Sequence, residues 1–476
     1  MNILLKAFDG AKYQPLLKAA FEDRDIGTCI TITNIEITPE IHAKKHVWMP
    51  AKPLRDALYP SMDWNEIAPL DAEILEKMRN AEAMFMPMVD RYARRGDISY
   101  AERKRQYLAH LRYWNHMLDK EKIGLFLINH IPHQCFDYVI YELCRAKGIP
   151  TYHLERCYSV DGVFLVKDVE ASAEQLVPEM DRLKKEYVDP SKEVPLSPSY
   201  EAFYQAEIAK TEIPWFTGAR PKHLTRKSFI GKWVGKSWEL LNNKPKKFVQ
   251  ATLSPDVWHR KFTQHRTMQF YDAHAHEPDF TKPYVYAPLH MQPEETTSPR
   301  GGVFVNQELI VEMLAAHVPP GTMVYVKEHP AQGELCRSEE FYKAMDVYPN
   351  VQFVPRNCDT FKLTEHAVAV ATVTGTAGIE ALFLEKPVFL FGHRFYQHAP
   401  GVYRIHSNED CKRAVQEIFT EKKKPTLRDI RIFLKAIDNL TAPYEGGPLR
   451  SDQASREERA HEVGLMMRKI LAPLFA

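Results

Sequence analysis

The chain lacks the features that mark several special classes of protein. Its 63 lysines and arginines nearly balance 62 aspartates and glutamates, so no excess charge favours a nucleic-acid partner. No apolar run approaches the roughly 18–20 residues that a membrane-spanning helix needs. The first residues also lack the basic start and long apolar core of a secretory signal. We therefore expect a cytoplasmic protein with no transmembrane helix and no bound nucleic acid.

Cysteine is scarce, and its arrangement argues against two further kinds of protein. The seven cysteines are odd in number, and no two are spaced as a C-x-x-C pair. This pattern predicts neither a disulfide framework nor a structural zinc site. His130 and His133 form a His-x-x-His pair, which is a weak metal signal without further ligands. The sequence thus predicts no metal and no cofactor.

Three short apolar runs in the second half of the chain predict neighbouring strands of a parallel sheet. They cover residues 324–326, 367–373 and 387–391. The first leads into a Glu-His-Pro sequence, and the second leads into a Thr-Gly-Thr-Ala-Gly turn followed by helix-forming residues. Strand, turn, helix and strand in this order are typical of an α/β fold.

The Thr-Gly-Thr-Ala-Gly turn predicts a phosphate site. Gly375 lets the backbone approach a ligand closely, and a helix that begins near Thr376 points unpaired N–H groups outward. Thr374 adds a hydroxyl group, and His329 ends the neighbouring strand, where open α/β sheets bind ligands. The alternative is that the turn only packs a helix on the sheet, with Thr376 as its N-cap.

The stretch from Tyr284 to about Tyr403 resembles the bacterial capsule polysaccharide biosynthesis family, which includes the Kdo transferases. In that family, a His-Pro motif and a Ser/Thr-Gly turn contact the nucleotide of a CMP-sugar donor. The matching residues here are His329, Pro330, Thr374, Gly375 and Thr376.

The resemblance implies a GT-B fold, in which two Rossmann-like domains face a central cleft and a C-terminal helix crosses back. His290 and Gln292 follow the first strand of the donor domain in this interpretation, so we expect them to line the donor site. Glu328 precedes the His-Pro motif. It is expected to hold a ribose hydroxyl or to orient His329, and the alternative is a salt bridge to Lys327.

The expected domain boundaries follow from changes in residue composition along the chain and from the resemblance to the capsule polysaccharide biosynthesis family. Residues 1–189 would form the N-terminal Rossmann-like acceptor domain with a helical insertion, and residues 190–281 a basic and aromatic linker with a helical region. Residues 282–440 would form the Rossmann-like nucleotide-sugar donor domain, and residues 441–476 the crossing helix.

Polar side chains at strand ends of the first domain are candidates for catalysis. Asp9 follows the strand predicted for residues 2–8, and His133 follows the first strand of the next βαβ unit, predicted for residues 124–129. Glu155 ends the strand that begins at Thr151. A sugar transferase needs a base for the acceptor hydroxyl or a carboxylate near the anomeric carbon. The alternatives are a turn-forming aspartate before glycine and strand-end residues with local hydrogen bonds.

The segment from Arg220 to Lys247 carries nine basic residues against the single acid Glu239, with two tryptophans among them. Basic and aromatic residues together favour contact with an anionic membrane surface. A solvated linker between domains is the alternative.

The function expected from all of this is glycosyl transfer. The best prediction is transfer of Kdo or a related acidic sugar from a CMP-activated donor to a saccharide or lipid-linked saccharide acceptor, for a bacterial surface polysaccharide or glycolipid. The sugar transfer would take place in the cytoplasm, at the inner face of the cell membrane. Transfer from a UDP- or GDP-sugar, transfer of a polyol phosphate of the teichoic acid type, and a non-catalytic scaffold of the same fold stay open.

Overall fold

The computed structural model describes residues 1–59, 62–92, 98–157, 162–210, 255–330, 332, 337–443 and 456–475. The basic and aromatic segment Arg220–Lys247, and with it the expected membrane contact, lies outside these residues. Within the described ranges, no helix is both long enough and apolar enough to cross a bilayer.

The first half of the chain forms a six-stranded sheet. Its strands are Asn2–Lys6 (β1), Ile26–Thr33 (β2), Ala43–Pro50 (β3), Ile123–Ile128 (β4), Thr151–Cys157 (β5) and Gly162–Val166 (β6). They lie in the order β3-β2-β1-β4-β5-β6. Neighbouring strands are parallel except for β6, which pairs antiparallel with β5.

The second half forms another six-stranded sheet, in which all neighbours are parallel. Its strands are Tyr284–Pro288 (β7), Met323–Lys327 (β8), Val351–Phe353 (β9), Ala369–Thr372 (β10), Val388–Leu390 (β11) and Val402–Arg404 (β12). They lie in the order β12-β11-β10-β7-β8-β9.

Both sheets share one strand order. When the second sheet is read from β9 to β12 and the strands of each sheet are numbered from its first strand, both orders are 3-2-1-4-5-6. This is the doubly wound order of Rossmann folds. In such sheets the chain changes direction beside the first strand, and ligands bind outside the carboxyl ends of the strands at this switch point. The prediction of an α/β, GT-B-like fold with two Rossmann-like domains is confirmed.

Helices cover the faces of both sheets because their apolar sides complete the cores. The α-helices of the first half are Gln14–Phe21 (α1), Ala51–Arg55 (α2), Ala72–Lys77 (α3), Arg79–Met88 (α4), Tyr100–Lys120 (α5), Phe136–Ala146 (α6), Leu176–Glu186 (α7) and Pro198–Ile208 (α8). Those of the second half are Pro255–His274 (α9), Glu308–His317 (α10), Glu339–Asp346 (α11), Thr360–His366 (α12), Thr376–Phe383 (α13), Asn408–Val415 (α14), Leu427–Leu440 (α15) and Arg456–Leu471 (α16).

Helix α16 crosses back to the first sheet, as the resemblance implies. Val463, Met467 and Leu471 are buried in the same core as Leu16 of helix α1. Gly464 makes this close packing possible, because a Cβ atom there would lie 2.4 Å from the Leu16 carbonyl oxygen. The last helix of the chain therefore joins its two halves.

The two sheets meet with their carboxyl ends facing one cleft. Arg300, which follows β7, donates to Glu155 of β5 at 2.7 Å, and neither side chain is more than 3% exposed. Gln397 donates to the carbonyl oxygens of Glu170 and Ala171 at 3.0 and 2.8 Å. These contacts fix the position of one domain against the other.

The buried Arg300–Glu155 pair makes a prediction about stability. Arg300→Met leaves the Glu155 carboxylate buried without its cation, so the free energy of unfolding should fall by about 3–5 kcal/mol. Denaturant unfolding followed by circular dichroism measures it. The matched control is Arg105→Met, which removes an exposed partner of Glu102 and should cost less than about 1 kcal/mol. Equal costs for the two variants would contradict the assigned role of the buried pair.

Candidate active site

The switch point of the second sheet lies between β7 and β10, and the predicted glycine turn is located there. The chain leaves β10 at Thr372, passes through Gly375 and enters helix α13 at Thr376. Gly375 is the N-cap residue, and no side chain caps this helix start. The Gly378 N–H donates to the Gly375 carbonyl at 3.1 Å, so the N–H groups of Thr376 and Ala377 are the ones at this helix start that can meet an anion from the cleft.

His290 supports this turn from behind. It is buried, and its Nε2 lies 2.8 Å from the Thr372 hydroxyl and accepts from the Val373 N–H at 3.2 Å. The Thr372 hydroxyl in turn accepts from the Gly375 N–H at 3.0 Å. Burial lowers the pKa of His290 to about 3, so the ring is neutral at physiological pH. His290 therefore holds the turn through protein contacts, and its contact with the donor stays a prediction.

The structure gives Gly375 a different reason to be glycine from the one that the sequence suggested. A Cβ atom at this position would lie 2.8 Å from a carbon of the His290 ring and 2.9 Å from the Thr372 hydroxyl. On the other side, the Tyr396 hydroxyl donates to the Gly375 carbonyl at 2.5 Å. Close packing of protein groups therefore already requires glycine here, with or without a phosphate.

Glu328 fixes the His-Pro loop from inside the domain. Its carboxylate is fully buried, with one oxygen accepting from the His329 N–H at 2.6 Å. The other oxygen accepts from Arg337 at 2.7 Å and from the Tyr342 hydroxyl at 2.5 Å. Lys327 instead donates to the Thr360 hydroxyl. Of the expected roles, the structure favours orientation of His329, because a carboxylate engaged in this way cannot also reach a ribose.

Gln292 is likewise engaged with protein groups. Its amide nitrogen donates to the Val305 carbonyl at 2.6 Å, and its amide oxygen accepts from Gln307 and from Arg337. Arg337 thereby links the Gln292 loop to Glu328. No local pattern in the sequence points to Arg337, since its partners are distant along the chain.

The remaining donor candidates lie at the cleft. His329, Pro330, Gly375 and Thr376 are partly exposed. Thr374 is buried, and its hydroxyl donates to the Thr296 carbonyl at 2.7 Å, which ties the turn to the loop after β7. The exposed part of the predicted donor site thus consists of the His-Pro loop and the start of α13.

Asp9 lies three residues after β1, at the switch point of the first sheet, and its carboxylate bonds to the neighbouring loop. Its carboxylate accepts from the Asn34 N–H at 2.5 Å and from the Asn34 side chain at 3.3 Å. These two hydrogen bonds connect the loop after β1 with the loop after β2. The structure therefore matches the alternative of a turn-forming aspartate.

His133 follows β4 at the same switch point and has the properties of a base. Its Nδ1 lies 2.6 Å from the Ile131 carbonyl oxygen, so this nitrogen carries the proton and Nε2 carries the lone pair. His130 makes the same bond at 2.7 Å. Burial holds the pKa of His133 below its usual value, although the carboxylates of Glu295 and Asp137 oppose this effect. Within the described residues, no three His, Cys, Asp or Glu side chains are grouped to hold a metal ion.

Glu155 lies inside β5 instead of after it, because β5 continues to Cys157 in its pairing with β6. One oxygen accepts from Arg300, and the other accepts from the Ser172 hydroxyl. Burial opposes ionisation, but Arg300 outweighs it and holds the pKa of Glu155 below its usual value. A fully buried carboxylate with both oxygens engaged favours the alternative of a residue with local hydrogen bonds over the predicted catalytic role.

Glu295 is a cleft residue whose importance the sequence did not indicate. It lies on the loop after β7, with a carboxylate oxygen 3.8 Å from His133 Nδ1 and another 4.0 Å from Arg394. Burial opposes its ionisation, but Arg300, His133 and Arg394 keep its pKa below the usual value. An ionised carboxylate therefore faces the predicted base from the opposite domain.

Comparison with known proteins connects the second domain with one family. Residues 262–427 match the family model of capsule polysaccharide biosynthesis proteins, which confirms the resemblance predicted from the residues of this region. The match supports a glycosyltransferase of capsule polysaccharide synthesis. No curated protein sequence matches the chain.

Solved structures with low similarity include enzymes with nucleotide or sugar substrates. The β-Kdo 2,7 transferase KpsC of Thermosulfurimonas dismutans is 12% identical, with 82% of this chain and 96% of that chain covered and a TM-score of 0.31. The UDP-GlcNAc 2-epimerase of Methanocaldococcus jannaschii is 12% identical over 90% and 94%, with a TM-score of 0.26. Sucrose-phosphate synthase of Thermosynechococcus elongatus is 11% identical over 100% and 99%, with a TM-score of 0.26. The strand order, and not these scores, establishes the fold.

The packing of Gly375 against His290 can be tested with a double-mutant cycle. Gly375→Ala should lower the free energy of unfolding by about 1–3 kcal/mol, because the new methyl group overlaps the imidazole. In a His290→Ala background part of this cost should disappear, because the imidazole is gone while the Thr372 hydroxyl still lies 2.9 Å from the position of the added methyl group. Denaturant unfolding of the four proteins measures the coupling. Strictly additive effects would show that the two residues do not meet as described.

Proposed function

We propose that the protein is a glycosyltransferase that transfers Kdo or a related acidic sugar from a CMP-activated donor to a saccharide or lipid-linked saccharide acceptor. The observation that carries the proposal is the uncapped start of helix α13 at the switch point of the second sheet. It lies in a domain whose residues 262–427 match capsule polysaccharide biosynthesis proteins. The acceptor would form part of a surface polysaccharide or glycolipid, and the reaction would occur at the inner face of the membrane.

The donor phosphate would bind at the start of α13. Unpaired N–H groups and the helix dipole both favour negative charge at this end. Arg337 donates to the His290 carbonyl at 2.8 Å and to Glu328, which accepts from the His329 N–H, so the His-Pro loop and the residues that hold the glycine turn are bonded together. The imidazole of His329 can donate a hydrogen bond to the phosphate. The braces formed by His290, Gln292 and Glu328 hold both loops in place before a donor arrives, which reduces the entropy lost on binding.

The acceptor would bind against the first sheet, where His133 supplies the base. Its Nε2 would take the proton of the attacking hydroxyl group. The acceptor oxygen becomes bonded to the anomeric carbon, and the bond from that carbon to the phosphate oxygen of CMP breaks. The negative charge left on CMP is stabilised at the start of α13 and by His329.

Calorimetric titration with CMP, UDP and GDP tests the class of donor. The proposal predicts that CMP binds most tightly. Preference for UDP or GDP would favour a nucleoside-diphosphate-sugar transferase, and failure of all three to bind would favour a non-catalytic scaffold. Mass spectrometry of products from a panel of donors would then identify the sugar.

Replacement of His329 tests the donor site directly. His329→Ala should weaken CMP binding by about 1.5–3 kcal/mol, because a hydrogen bond to a charged phosphate is lost. The matched control is His366→Ala, whose side chain is about half exposed at the end of α12, and it should bind CMP like the wild type. Calorimetry of the folded variants gives both values. An unchanged dissociation constant in His329→Ala would reject this assignment.

A further inference from the structure

The candidate base His133 and the carboxylate of Glu295 come from opposite domains and meet in the cleft. His133 follows β4 of the first sheet, and Glu295 follows β7 of the second. The distance of 3.8 Å from Nδ1 to Oε2 is longer than a hydrogen bond but lies within ion-pair range. The proton on Nδ1 is directed to the Ile131 carbonyl, so the two groups interact through charge.

Arg91 fixes the backbones of both residues' loops. One of its terminal nitrogens donates to the His133 carbonyl, and the other donates to the Ser298 carbonyl, each at 2.7 Å. Ser298 lies on the same loop as Glu295, three residues further along. A single planar guanidinium therefore sets the distance between the loop with the base and the loop with the carboxylate.

Four charged or titratable groups face His133: Glu295, Asp137, Arg91 and His130. Of the two carboxylates, Glu295 comes from the other domain. Asp137, at the start of α6, accepts from the Gln134 N–H at 2.7 Å, and its other oxygen lies 4.0 Å from the Lys6 ammonium group. Asp137 is shared with Lys6 and Glu295 with Arg394, and of the two carboxylates Glu295 has the larger favourable effect on the pKa of His133.

We propose that Glu295 is a positioning residue that completes the base, so that the two domains together make His133 competent. The inference rests on the proposed function, in which His133 takes the proton of the acceptor hydroxyl. When this happens an imidazolium forms in a partly buried site. The carboxylate across the cleft stabilises that cation and thereby offsets part of the loss of basicity that burial imposes on His133.

The titration of His133 in the full-length protein tests the proposal without donor or acceptor. Diethyl pyrocarbonate modifies the neutral imidazole, so its rate at His133, followed by mass spectrometry against pH, gives the midpoint of titration. In Glu295→Gln this midpoint should move to lower pH by roughly one unit, because the stabilising charge is lost. Glu295→Asp, which keeps the charge, should restore part of the shift.

The matched control is Glu365→Gln. It removes a carboxylate 3.7 Å from the surface residue His366, and it should leave the His133 midpoint unchanged. An equal midpoint in the wild type and Glu295→Gln would overturn the proposal. CMP affinity should be unchanged in Glu295→Gln, so loss of the proposed donor site and loss of this base–carboxylate pair would be seen in different measurements. With an active donor, the acidic limb of the kcat profile should move with the midpoint.

Discussion

The ion pair between Glu155 and Arg300 is a buried charged contact between the two domains, which also meet through Gln397 and Arg91. Each charge loses its hydration in the cleft, so the pair is favourable only when both partners are present and their remaining groups are bonded. Ser172 and the His393 carbonyl provide such bonds. Because this pair is one of the contacts that fix the cleft, the positions of the two switch points depend on it.

Polar residues around the glycine turn are of two kinds: some are bonded to protein groups, and others are exposed at the cleft. His290, Gln292 and Glu328 are turned toward protein partners, and their bonds define the shape of the two loops. His329 and the start of α13 remain partly exposed at the cleft. A site for a charged group benefits from this division, since donors that are already oriented need little reorganisation when the charge arrives.

Much of the fold could be predicted because it depends on local patterns. Short apolar runs with polar or glycine ends located β7, β8 and β10, and the helix after Gly375 followed from its composition. Strand β3 was not predicted, since it is an edge strand with exposed Lys44 and Lys45 in place of an apolar pattern. Strand β6 was also missed, and its pairing places Glu155 inside the sheet.

The candidate site could be predicted only in part, because its composition depends on contacts between distant residues. The sequence located His133, His329 and the glycine turn at strand ends. It could not show that Arg337 holds Glu328, or that Arg300 occupies Glu155. Those partners come from other loops, and only the folded chain brings them together.

Hydrogen exchange with and without CMP tests the central claim, that the switch point of the second sheet is the nucleotide site. Exchange of backbone amides is followed by mass spectrometry at saturating nucleotide. The account predicts that CMP slows exchange in residues 373–378 and 328–332. Protection confined to the first sheet, with none at these two loops, would contradict it.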